Sequence, residues 1–180
     1  IFVSQSFYVE AQRYLRLTDA DFAGHVHIIN NSVGKMFEER SYAYSGKKEF
    51  DFITIRSNID ESTYCVDLLC QTAEHNPQFT FLLIGQGKFF QHYQKPDNLI
   101  WVNKVLDHES LLECIDKSRC ALMLTRRDTQ GVMSCELATY GIRLITSDLE
   151  ITREIFSQIP WVTIIKHELP DTVELEEQLK

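Results

Sequence analysis

From residue 50 onward, short runs of β-branched and aromatic residues alternate with amphipathic stretches whose apolar residues recur at helical spacing. This alternation constrains the fold more than any other feature of the chain. Strand, helix and strand in succession imply a parallel sheet covered by helices on both faces. The spacing predicts strands over 50–55, 79–84, 99–103, 120–125, 143–146 and 161–165. Helices are expected over 61–75, 88–93, 107–117, 132–140 and 150–156, with a last one from Thr172. Asn76-Pro77 stops the first of these helices, and Gly141 stands where a C′ glycine would end the fourth. The expected fold is therefore α/β, a Rossmann-like doubly wound parallel sheet of about six strands.

Upstream the pattern changes. Residues 4–17 read as a helix, and residues 26–30 as a strand running into Asn30-Asn31-Ser32-Val33-Gly34. Ile1-Phe2-Val3-Ser4 reads like a strand already under way. Residues 1–25 carry too little apolar surface for a core of their own, so they are expected to be the remnant of a preceding domain and its linker. Residues 26–180 are then the folded domain. With 180 residues, 44% of them hydrophobic, the chain buries a sizeable core without help from a metal or a disulfide. Its five cysteines show no Cys-x-x-Cys pair and lie mostly in apolar runs, which suits buried thiols in a reducing cytosol. The net charge of -8 argues against a broad nucleic-acid surface. No apolar run approaches the ~20 residues that span a bilayer. A cytoplasmic protein is expected, and any anion it binds must be held locally.

In an open parallel sheet, ligands bind outside the carboxyl ends of the strands, where the strand order reverses. Arg56 follows the first expected strand, Gly85-Gln86-Gly87 the second, Thr125-Arg126-Arg127-Asp128 the fourth and Thr146-Ser147-Asp148 the fifth. The most informative stretch is Asp128-Thr129-Gln130-Gly131-Val132-Met133-Ser134-Cys135-Glu136. A glycine that opens a helix lets the backbone approach a ligand, and the free N–H groups of the first turn attract phosphate. Glu136 lies one turn further in, where it suits ribose hydroxyls better than a phosphate. Taken alone, either acid is most often a solvated loop carboxylate or a helix-dipole charge. Gly85-Gln86-Gly87 lacks the third glycine of a dinucleotide fingerprint, and His25 and His27 lack a third metal ligand. Asp19-Ala20-Asp21 is read as a polar cluster that ends a helix.

These residues together resemble the donor-binding domain of retaining glycosyltransferases of the group-one, family-four type. Asp128 and Glu136 resemble its acid-x7-Glu signature, with Gly141 and Glu154 placed as in that family. Asn31-Ser32-Val33 resembles its interdomain Asn-Gly-Val loop, and Phe52-Ile53-Thr54-Ile55-Arg56 its strand ending in a phosphate-binding arginine. Leu82-Leu83-Ile84-Gly85-Gln86-Gly87 resembles its Ile-Val-Gly-x-Gly strand end, and Asn98-Leu99-Ile100-Trp101-Val102 its next strand. The resemblance implies that Glu136 holds the ribose and Asp128 the hexose hydroxyls. Gly131, Val132 and Met133 would hold the diphosphate and sugar through backbone amides. Arg56 would hold the diphosphate by charge, so that Asp128 and Arg56 carry the catalysis. Gly85, Thr125 and the Lys104-Val105-Leu106 turn would border the phosphate and the base.

The implied donor is a UDP- or GDP-sugar, used without a metal or other cofactor. A glycan or lipid-linked acceptor of a surface polysaccharide would dock on a preceding domain, and the full-length bacterial-type enzyme would touch the inner face of the membrane peripherally. Three departures stand out: Asp128 where the family more often has Glu, no lysine near Tyr64-Cys65 where the family has a phosphate-binding one, and Arg143 in place of a proline. Arg126, Arg127 or Lys88 would have to supply the missing cation. The alternatives are a non-catalytic sugar-nucleotide-binding or partner subunit, and a receiver-like signalling module. Arg56-Ser57-Asn58 fits the second poorly, because paired acids would be needed there.

Overall fold

The computed structural model describes residues 1–166 and 168–180. Among these, six strands form one wholly parallel sheet: β1 (Phe50–Asn58), β2 (Phe81–Gln86), β3 (Leu99–Val102), β4 (Ser118–Met123), β5 (Arg143–Ser147) and β6 (Val162–Ile165). Their order is β3-β2-β1-β4-β5-β6, the doubly wound arrangement expected from the alternating pattern. Helices α1 (Gln5–Leu15) and α2 (Lys35–Glu39) precede the sheet. The others are α3 (Val66–His75), α4 (His108–Asp116), α5 (Val132–Tyr140), α6 (Glu150–Phe156) and α7 (Thr172–Leu179).

Both faces of the sheet are dry, and the side-chain alternation sorts each strand between them. Ile53, Leu82, Ile84, Ala121, Met123 and Leu144 meet Leu112 and Ile115 of α4, Leu137 and Tyr140 of α5, and Phe37 of α2. Phe52, Phe81, Leu83, Cys120, Leu122 and Ile145 meet Leu69, Cys70 and Ala73 of α3 and Leu175 of α7. Each Leu, Ile or Phe buried this way contributes about 1.5–3 kcal/mol. The helix ends follow local chemistry. Asp107 accepts from the Ser110 N–H at 2.9 Å, and Asp171 accepts from the Glu174 N–H at 2.8 Å while the Glu174 carboxylate receives the Asp171 N–H at 2.9 Å. Gly141, at φ 93°, closes α5.

Three expectations need correcting. Residues 26–30 form no strand beyond a single parallel bridge, Ile28 to Phe2, because the partner segment turns into α1 directly after Ser4, whose side chain caps that helix. The helix expected over 61–75 breaks at Cys65, which takes φ 55° between a 3-10 turn at Ser62–Tyr64 and α3. Arg126 binds two carbonyls of that turn: Thr63 accepts from its N–H at 3.0 Å, and Ser62, which also accepts the Cys65 N–H at 3.3 Å, from its guanidinium at 2.7 Å. The stretch 88–93 contains only a 3-10 turn, Phe89–Gln91, packed through Phe89, Phe90 and Tyr93 against the sheet layer. Helix α2 was not anticipated. Its Phe37 is buried against Tyr140.

Residues 1–25 lie against the sheet's carboxyl side. The Glu154 carboxylate on α6 accepts the Gln5 and Ser6 N–H groups at 2.9 and 2.8 Å, an anion at the amino end of α1. Phe2, Phe7, Tyr8 and Phe22 form a small aromatic cluster beneath that helix. Among the described residues, no helix is long and apolar enough to cross a membrane.

The β2–β3 edge depends on one amide. Asn98 Nδ2 reaches the carbonyls of Ala73, Asn76 and Phe79 at 2.9, 3.1 and 3.0 Å, tying the end of α3 to the start of β3. Asn98→Ala leaves these acceptors without that donor and is expected to cost about 1–3 kcal/mol, read from urea denaturation midpoints.

Candidate functional site

The strand order reverses between β1 and β4, and there the two strands part. Their backbone pairing runs from Phe50↔Ser118 to Ile53↔Ala121. Beyond it side chains replace the ladder: Thr54 Oγ1 donates to the Leu122 carbonyl at 2.6 Å, and the Arg56 guanidinium to the Leu124 carbonyl. Arg56 is buried, its Nε finds no partner, and the Tyr64 ring covers its guanidinium at 5.0 Å. Burial pulls its pKa down to about 10, so the group stays cationic at neutral pH. Among the described residues no carboxylate pairs with it. A buried, unpaired ion costs several kcal/mol, so this position favours an incoming anion.

The segment after β4 folds over the gap. Thr125 is buried; its hydroxyl donates to the Arg127 carbonyl at 2.8 Å and its N–H to Ser147 Oγ at 3.0 Å. Arg126 binds Asp67 through both guanidinium nitrogens at 3.0 and 2.7 Å. It straps the loop to the start of α3, which removes it as a free cation for a ligand. Asp128 accepts from the N–H groups of Thr129 and Gln130 at 2.8 and 3.1 Å. Gly131 follows at φ 67°, where a Cβ would stand 2.8 Å from Asp128 Oδ2, so both conformation and space call for glycine. From Gly131, α5 begins, and the N–H groups of Val132 and Met133 in its first turn have no intrahelical acceptor. Glu136, one turn along, accepts the Gly34 N–H at 3.0 Å. Gln130 exchanges two hydrogen bonds with the Asn31 backbone, at 2.5 and 2.9 Å, and Ser4 Oγ donates to the Thr129 carbonyl at 2.9 Å.

A cleft of about 740 Å³ opens at this edge, between α1, the Thr63-Tyr64 turn, the loop through Asp128 and the start of α6. Asp128 lines it directly, and Arg56 lies behind its Tyr64 wall. Gly131, Val132, Met133 and Glu136 follow along α5 outside the cleft's lining. Gly85 packs instead: a Cβ there would run into the Arg56 carbonyl and come within 2.8 Å of Ile59. Val105 is 73% exposed and stands apart from the cleft. Sequence reasoning missed the Tyr64 cover, the Arg126–Asp67 strap and the Gln130–Asn31 clamp, which only the tertiary fold brings together. Arg127 is 80% exposed along its side chain and makes a long ion pair with Glu10 at 3.9 Å. Among the described residues, no three His, Cys, Asp or Glu side chains gather as metal ligands would.

The chain superposes on WaaG, a glycosyltransferase involved in lipopolysaccharide biosynthesis, at TM-score 0.70 and 11% identity, covering 99% of this chain and 50% of that one. It matches the C-terminal domain of the group 1 glycosyltransferase LpcC from Francisella tularensis at TM-score 0.59 and 10% identity, over 82% and 87% of the two chains. The fold is that of a glycosyltransferase C-terminal domain. The pneumococcal O-GlcNAc transferase GtfA, solved in complex with UDP and GlcNAc, aligns at TM-score 0.55 and 15% identity, over 94% of this chain and 35% of that one. The chain thus spans half or less of the solved WaaG and GtfA chains. No protein-family model matches the sequence, and no curated protein does.

The strap carries a pH signature. Its hydrogen bonds from Arg126 hold the Asp67 carboxyl below the ordinary value of 3.8, so the contribution is present at neutral pH and is lost as pH falls through the lowered pKa. The stability gap between wild type and Asp67→Asn should be constant above pH ~5 and close below the ordinary aspartate value, as urea midpoints across the acid range will show.

Proposed function

We propose that the chain is the donor-binding half of a retaining glycosyltransferase that takes a nucleoside-diphosphate hexose, with UDP- or GDP-sugar as the donor. The observation that carries this reading is the buried, unpaired Arg56 at the strand-order reversal, beside a glycine-started helix and a carboxylate-lined cleft. In this reading the diphosphate lies against Arg56 and the free N–H groups of Val132 and Met133. Tyr64 must shift for the guanidinium to meet it directly. Asp128 takes the hexose hydroxyls, and the second oxygen of Glu136 the ribose, its first being held by Gly34. Charge that develops on the leaving diphosphate is stabilised electrostatically by Arg56 and the α5 amino end, without a side-chain nucleophile. The acceptor, a glycan or lipid-linked sugar of a surface polysaccharide, docks on a partner domain across the cleft, on the membrane's inner face. That the structurally similar GtfA was solved in complex with UDP is in keeping with a nucleotide donor.

A non-catalytic sugar-nucleotide-binding subunit is the second reading. It is favoured by Arg126 being committed to Asp67, which leaves Arg127 at the rim as the second cation near the phosphates. Turnover by the full-length protein separates the two readings.

Calorimetry against UDP, GDP, ADP and their sugars tests the shared core. One nucleotide should bind the 180-residue chain weakly, with no transfer, since orientation of both reactants is what speeds the step. Arg56→Gln should reduce affinity by about tenfold or more, with Arg56→Lys intermediate and thermal melts checking the fold. Glu136→Gln keeps an acceptor for Gly34 yet should lose most of the discrimination between the nucleotide and its 2′-deoxy form. An unchanged deoxy penalty would remove the ribose assignment, and no nucleotide binding at all would end the donor-site reading.

A further inference from the structure

A second cationic hollow lies at the opposite end of the sheet. Parallel strands put all their amino ends at one edge, and there Lys48 precedes β1, Arg119 is the second residue of β4 and Arg143 the first of β5. With Tyr42, Tyr44 and Lys180 these bound a hollow of about 270 Å³. Among the described residues no aspartate or glutamate lines it, in a chain whose net charge is -8.

The cations there are held in place mostly by neutral oxygens. Lys48 Nζ donates to the carbonyls of Ala43 and Asp116, the second at 2.7 Å, and stands 4.1 Å over the Tyr42 ring. Arg143 Nη1 donates to the Gln178 carbonyl at 2.8 Å. Carbonyls fix the positions of these groups without cancelling their charge. Of the nearby acids, Asp116 is engaged elsewhere, its Oδ1 accepting from the Ala43 N–H and the Tyr140 hydroxyl, both at 3.0 Å. Asp51 Oδ2 accepts from the Thr80 N–H and hydroxyl at 2.9 and 3.1 Å, while its Oδ1 pairs with Arg119 Nε at 3.5 Å, on the side of the guanidinium rather than at its Nη fork. Burial pulls the Lys48 ammonium below its ordinary value, with Asp116 opposing and Arg119 adding to the shift. Like charges gathered around one hollow repel each other, and an anion placed among them removes that cost.

We propose that this hollow is a second anion site, which takes a phosphate ester on a small polyol through the forks of Arg119 and Arg143 and the ammonium of Lys48. Guanidinium forks match two phosphate oxygens at once, and the Tyr42 and Tyr44 rings form an apolar wall for the carbon skeleton. The volume falls below the roughly 300–1,000 Å³ of sites for drug-sized ligands, which suits a headgroup-sized molecule over a sugar nucleotide. The phosphate can arrive free in solution or as the headgroup of an anionic phospholipid. The site is separate from the cleft and does not depend on what the cleft binds.

Two probes tell the sources apart: sn-glycerol 3-phosphate followed by NMR, and sedimentation with phosphatidylglycerol against phosphatidylcholine vesicles. One or both should bind, with shifts at Tyr42, Lys48, Arg119 and Arg143 for the free ester, or selective sedimentation with phosphatidylglycerol for the lipid. Arg119→Gln/Arg143→Gln should weaken the response by about tenfold or more. Arg16→Gln/Lys35→Gln removes the same charge elsewhere and should leave it unchanged. Thermal melts establish that each variant is folded; should the double variant unfold, Arg119→Lys, which keeps the charge and loses the fork, takes its place. No response at these residues and no vesicle selectivity would overturn the proposal, as would an equal loss in the control pair, which would reduce the effect to net charge.

Discussion

The parting of β1 from β4 is the constraint on which the site depends. β1 is the hub of the sheet, hydrogen-bonded to β2 along most of its length and to β4 only as far as Ile53. Past that point the backbone of each strand still needs partners, since an unpaired buried carbonyl is costly. Side chains meet the need. Thr54 satisfies Leu122, and Arg56 satisfies Leu124. A threonine hydroxyl does this at no electrostatic cost, whereas a guanidinium brings a full charge into the dry gap. The same residue therefore completes the sheet and charges the cleft, and substituting it disturbs both.

That dual role explains why position alone made part of the site legible in the sequence. Asp128 and Gly131 follow β4, whereas Arg56, expected just past the first strand, lies within the carboxyl end of the longer β1. A parallel sheet sends every strand end to one edge, so reading the strands was enough to gather them. The doubly apolar runs of β1, β2 and β4 made those strands easy to read, because both of their faces are buried. What the sequence did not disclose depends on contacts between distant segments. Cys65 adopts a left-handed conformation where Arg126, some sixty positions on, binds the Ser62 and Thr63 carbonyls of the turn before it. Nothing in the local residues around 61–65 marks that break. Likewise α2 is five residues long, too short to stand by propensity, and is held by Phe37 in the core and by Glu136 at the N–H of Gly34, its N-cap.

Glu136 and Glu154 make a related point about acids at helix ends. Both were singled out by resemblance, and both accept backbone N–H groups at the start of another helix, Glu136 for α2 and Glu154 for α1. Such bonds tie the upstream segments to the ligand-facing edge: α1 to α6, and the Asn31–Gly34 stretch to α5. A ligand that competed for Glu136 would loosen the hold on Gly34. A ligand content with the remaining oxygen would leave it intact, which is why the conservative change to glutamine separates the two jobs of this carboxylate.

The two cationic centres sit at opposite ends of the same sheet and obey different electrostatics. Arg56 is buried beneath Tyr64, in surroundings where ions in solution barely screen it, so its pull on an anion depends on geometry more than on salt. Arg119 has about half of its side chain in solvent, within reach of mobile counterions whose screening length is about 8 Å at physiological ionic strength. The basal hollow must therefore rely on several cations acting together, and the cleft can rely on one. In a chain of net charge -8, each arrangement is a local reversal of the overall field, which repels anions at long range. Selectivity at both ends then rests on short-range fit: a phosphate gains nothing on approach and is held only once it reaches the forks or the helix amides.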